Sequence, residues 1–170
     1  LWALPFTRTW IKKYSESKNE KSHWQLDDNI SGLRQVNKGK SKKCSTIFAF
    51  NHLNKFYNKY NNIGIMGLRH SAFASFQPKP IQIKSTSIFF CFNLKILINI
   101  YWRDNTIEDT DYSLQILSSN YCTVLFNIFV FKNQVQALLL VAIQIRYIRV
   151  MADLYVQENY KEIGRGLLKK

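Results

Sequence analysis

A chain of 170 residues, 46% hydrophobic and 15% aromatic, has material for one ordinary domain with its own core. Only six Gly and three Pro exclude a low-complexity linker and argue against a barrel of many tight turns. Lys and Arg outnumber Asp and Glu by 24 to 11, a formal net charge of +13, and a field of that sign favours nucleic acid, anionic lipid or an acidic protein partner.

The excess is concentrated at the front, where residues 1–60 hold twelve cations and four acids. Phe, Ile, Asn, Lys and Tyr are the residues that A/T-rich codons specify, so the lysine count reports codon bias as well as chemistry. Cys44, Cys91 and Cys122 are odd in number and far apart. They form no disulfide framework, and a reducing intracellular compartment or organelle is preferred.

Taken in chain order, residues 1–22 mix Trp2, Leu4, Phe6, Trp10 and Ile11 with Arg8, Lys12 and Lys13. This basic, partly amphipathic pattern suits an organelle presequence or a peripheral anchor, and lacks the apolar run of a secretory signal. A start at Leu1 rather than Met suits a processed product, a fragment or a poorly supported gene model without independent function. Residues 23–46 are polar, with Asp27-Asp28-Asn29 and the run Lys38-Gly39-Lys40-Ser41-Lys42-Lys43. The domain division expected is therefore a basic, largely irregular arm over 1–46 and a single small domain over 47–170.

Within 47–62, Phe50, Leu53, Phe56, Tyr57 and Tyr60 recur at three- and four-residue steps and predict a short helix. Pro78 and Pro80 then punctuate the chain, and Ile81 and Ile83 alternate with polar residues. Leu94, Ile96, Ile98 and Ile100 repeat that period of two, which predicts strand. Residues 103–111 read as an acidic polar loop and Cys122–Phe131 as a second apolar strand, the two strands pairing antiparallel as neighbours. From Ile148 the pattern turns helical and closes at Gly164 and Gly166. The fold class expected is α+β, a small antiparallel sheet over about 81–131 with an aromatic helix from the N-terminal half and a C-terminal helix packed on it.

Chemistry-bearing patterns are few. Gly39-Lys40-Ser41 lacks the glycine of a phosphate loop, because Arg34 stands in its place. His23, His52 and His70 are scattered without ligand spacing, so no metal site and no cofactor is expected. Asp104, Glu108, Asp109 and Asp111 could serve acid–base chemistry, but read more simply as a solvated connection. No catalytic residue emerges, and a non-enzymatic function is expected.

The strongest positive pattern joins Lys38, Lys40, Lys42 and Lys43 to Lys55, Phe56, Tyr57, Lys59 and Tyr60. Lysines neutralise phosphates, and aromatic faces stack on unpaired bases. From this follows the expectation of a basic binding or structural subunit, associated with RNA in a ribonucleoprotein particle or with another polyanion or a larger protein assembly. The alternative is a membrane-associated protein, its apolar segment near 124–145. That run is broken by Lys132-Asn133-Gln134 and falls short of the twenty or so apolar residues of a span.

Overall fold

The computed structural model describes residues 3–74, 79–96, 100–103 and 107–133. All of them belong to the first of two compact units, Leu1–Gln134, and the helix expected after Ile148 lies outside the described residues. In chain order the elements are α1 (Ala3–Ser17), β1 (Ser22–Leu26), β2 (Ile30–Asn37), β3 (Lys40–Lys43), α2 (Thr46–Tyr57) and β4 (Ile63–His70). They continue as α3 (Ser71–Ala74), β5 (Ile81–Ile83), β6 (Cys91–Lys95), α4 (Glu108–Ser118) and β7 (Cys122–Asn133).

The strands form one seven-stranded sheet in the order β1-β6-β4-β7-β2-β3, with β5 also on β7. At its centre β4 and β7 run parallel, and every other pairing is antiparallel. One edge of β7 carries β4. The other is shared, with β5 against Val124–Phe126 and β2 against Phe129–Asn133. A strand enclosed on both edges and both faces needs apolar side chains at nearly every position, which is why the run from Cys122 reads so strongly in the sequence.

Each face of the sheet has its own core. Ala49 and Leu53 of α2 pack with Leu33, Met66, Leu68, Phe126, Phe129 and Phe131 on one side. Tyr112 and Ile116 of α4 pack with Ile65, Ile88, Phe92, Leu94 and Trp102 on the other. Full burial of a Leu or Phe side chain contributes about 1.5–3 kcal/mol, so these two layers dominate the stability of the unit.

Several expectations need correction. The sheet is mixed, not a small antiparallel one over 81–131, and it draws four of its strands from before residue 71. Of the run Leu94–Ile100 expected as strand, Leu94 and Lys95 lie in β6 and residues 97–99 lie outside the described residues; β6 and β7, expected to pair as neighbours, are separated by β4. That strand, IGIMGLRH, carries two glycines, which weaken a strand pattern. They serve close approach instead. A Cβ on Gly64 would lie 2.5 Å from Ile116 Cγ2, and one on Gly67 2.4 Å from Ile88 Cγ2. The acidic loop over 103–111 is in part the first turn of α4. Residues 1–46, read as a largely irregular arm, carry α1 and strands β1, β2 and β3. Among the described residues no helix is long and apolar enough to cross a membrane, and residues 124–133 of the apolar segment expected near 124–145 are strand.

The basic run forms the tight turn of the β2–β3 hairpin. Asn37 pairs with Lys40, leaving a two-residue turn in which Lys38 (φ 47°) and Gly39 (φ 76°) are both left-handed, as a type I′ turn requires. Gly39→Ala is expected to destabilise the unit by about 1 kcal/mol, the cost of a Cβ in that region. The urea midpoint should fall while the slope of the transition stays unchanged.

Candidate active site

Three segments distant in sequence meet at one end of β1. Beyond Leu26, the Asp27 N–H donates to the Phe90 carbonyl at 2.8 Å. Phe90 has φ 62°, a left-handed conformation rare for an aromatic residue, and such strain persists where the surroundings enforce it. The second segment is the first turn of α4. Its N-cap position, Ile107, supplies no side-chain cap, and Glu108, Asp109 and Asp111 place carboxylates at the positive end of the helix dipole.

The third segment is α1, which sends Arg8 into the cluster. Arg8 is hydrogen-bonded to Asp109, lies 3.5 Å from Glu108 and 4.0 Å from Asp27. Its guanidinium sits 4.7 Å from the Trp102 ring centroid and 5.4 Å from that of Phe92, within cation–π range. Asp111 belongs to a different arrangement. It receives Arg103 through two donors and Gln115 at 2.9 Å, and secures α4 rather than joining the Arg8 cluster.

A cleft of about 580 Å³ opens beside this cluster, with Arg8, Trp24, Gln25, Asp27, Asp28 and Phe92 in its walls, a size suited to a small-molecule ligand. Gln25 is buried, and its Oε1 has no hydrogen-bond partner among the described residues. Glu108 and Asp109 do not line the cleft; Arg8 does, and it contacts both carboxylates.

Burial pushes the Asp109 carboxyl up to about 7, with Glu108 adding to the rise and Arg8 opposing it. Burial also raises Asp27, again against the pull of Arg8. A carboxyl poised near neutrality is suited to take or give a proton at physiological pH. Such a carboxyl also makes folding pH-dependent. Between its unfolded value near 4 and about 7 the folded chain binds more protons than the unfolded one, so this group makes stability fall as pH rises. Urea melts at pH 5.0 and 8.0 should show the decline, and Asp109→Asn should flatten it. Among the described residues no group of three or more His, Cys, Asp or Glu is arranged to hold a metal ion.

The residues singled out from sequence lie elsewhere. Lys38, Lys40, Lys42 and Lys43 are exposed on the β2–β3 hairpin at the edge of the sheet, where charge also guards an open edge against unwanted pairing. Lys55 and Lys59 are exposed at the far end of α2, about 15 Å along a twelve-residue helix from its junction with β3. Phe56 and Tyr57 pack on the core, with Phe56 edge-on to Phe126 at 5.1 Å. Tyr60, half exposed, rests against Phe56 at the same separation. The hairpin lysines are thus together, while the rings are largely committed to the fold.

Sequence reasoning missed Arg8, taken as part of a targeting segment, and Asp27-Asp28, taken as loop. The signal available was the pair of short acidic clusters in a strongly basic chain.

The model of the TET-associated glycosyltransferase family matches residues 3–137, a span containing all of these elements. No curated protein and no solved structure matches. The family match points to an enzyme and overturns the expectation of a non-enzymatic, RNA-associated structural subunit of a ribonucleoprotein particle. That expectation weighted an excess of lysine and an aromatic helix whose inner rings serve the core.

Proposed function

We propose, since the chain belongs to the TET-associated glycosyltransferase family, that the acid cluster around Arg8 transfers a glycosyl unit from an activated donor to an acceptor hydroxyl. Asp109 is the general base. It removes the acceptor proton as the hydroxyl oxygen forms its bond to the anomeric carbon, and the bond to the donor's leaving group breaks with its electron pair departing on that group. The sugar passes through an oxocarbenium-like state. The carboxylates of Asp27 and Glu108 stabilise that developing positive charge, in the manner of fixed dipoles and charges aimed at a transition state.

One observation carries this reading: the Asp109 carboxyl, pushed up to about 7 by desolvation, is hydrogen-bonded to the arginine that walls a ligand-sized cleft. The test is to incubate the chain with a panel of phosphate-activated sugar donors and hydroxyl-bearing acceptors. Mass spectrometry then follows transfer to acceptor and loss of donor. Turnover that depends on Asp109 supports the assignment. Turnover equal in wild type and Asp109→Asn removes Asp109 from the mechanism, and no turnover of any donor sinks the proposal.

A further inference from the structure

The helix that supplies Arg8 is inside out. Its inward side presents Arg8, 4% exposed, and Lys12, 1% exposed, whereas Phe6 is 72%, Trp10 58% and Tyr14 52% exposed. A helix that contributes to a core shows the opposite arrangement. Among the described residues neither apolar cluster includes a side chain of α1. Among its apolar residues with described side chains only Pro5 is buried, and Ile11 is half-buried.

The inward contacts are instead polar. Among the described residues they include Arg8 on Asp27, Glu108 and Asp109, Arg8 over Phe92 and Trp102, and Lys12, paired with Glu16 of the same helix, near the Tyr101 ring. The Trp102 Nε1 and Tyr112 hydroxyl are buried without a hydrogen-bond partner among the described residues, which lowers the cost of exposing them to water. The helix ends in a left-handed Asn19 (φ 56°), with Glu20 N–H returning to the Ser15 carbonyl and Asn19 N–H to that of Glu16. This closes the helix as a unit of its own before β1.

We propose that α1 is a movable wall of the cleft, latched by Arg8, and that its release gives substrate access to Asp109. As latched, the cleft reaches Asp27 and Asp28 but not Glu108 or Asp109, whose carboxylates the Arg8 guanidinium holds. An acceptor hydroxyl in the cleft meets the guanidinium rather than the base, and withdrawal of Arg8 frees the Asp109 carboxylate to accept from it. The purpose assigned to the opening rests on the proposed transfer reaction; the opening itself does not, and is measured without substrate.

Hydrogen–deuterium exchange on the full chain tests it. In Arg8→Met, amides of α1 should exchange at least about tenfold faster, the equivalent of about 1.4 kcal/mol, while β4 and β7 keep their wild-type protection. Arg8→Lys, which keeps the charge and loses the fork, should fall between. In chains with Trp102 as the sole tryptophan (Trp2, Trp10 and Trp24 replaced by Phe), Arg8→Met should raise acrylamide quenching several-fold. Unchanged α1 exchange, or loss of protection in α1, β4 and β7 together, overturns the proposal. A silent transferase assay with selective release of α1 discards the reaction and leaves the movable wall standing.

Discussion

Asp109→Asn is expected to lower the rate of glycosyl transfer by about 10²–10⁴-fold, the usual contribution of a positioned general base. Asn keeps the shape of the side chain and an oxygen that accepts from Arg8, so the loss isolates proton transfer from packing. Burial and Glu108 hold the wild-type carboxyl near 7 against the opposing pull of Arg8. The wild-type rate should therefore climb about tenfold per pH unit well below that value and level off above it. In Asp109→Asn this acidic limb should vanish along with most of the rate. A surviving limb with its inflection unmoved would assign the base to another group, with Asp27, also raised by burial, the next to replace.

The parts of this molecule that could be read from sequence are those where one residue type meets one environment. The run Cys122–Phe131 announces a buried strand because both faces and both edges of β7 are covered. Leu53, Phe56 and Tyr57 announce α2 because one face packs on the sheet. What escaped notice involves residues used against type. Gly64 and Gly67 occupy a central strand because α4 and Ile88 press against it. The lysines of β3 look disordered by composition, yet pair at an edge where side chains face water. Asp27, Glu108 and Arg8 are separated by up to 100 residues, and only the pairing of β1 with β6 and the placement of α1 and α4 make them neighbours. No local pattern encodes such a convergence. The inverted polarity of α1 is visible in retrospect: cations and aromatics alternate around the helix, and periodicity alone does not say which set faces inward.

Phe131→Ala is expected to be the most damaging single change to the fold. Phe131 is 1% exposed on β7, edge-on to His70 at 5.2 Å and to Phe90 at 5.9 Å. Truncating a buried Phe costs about 3–5 kcal/mol in lost transfer energy and residual cavity, a large share of the 5–15 kcal/mol that holds an ordinary domain together. Urea denaturation should show the drop, with Phe131→Leu retaining most of the stability because the volume is largely kept. The change should also reach the cleft. Phe90 has φ 62° and accepts the Asp27 N–H, and Phe131 is one of the rings that pack against it. With that ring gone, Phe90 is freer to relax toward an ordinary backbone conformation and to let go of Asp27. At temperatures where Phe131→Ala is still folded, its transfer rate should therefore fall further than that of Phe131→Leu. Equal rates at equal folded fraction would mean that Asp27 is positioned by β1 alone, and that the strain at Phe90 has no part in the site.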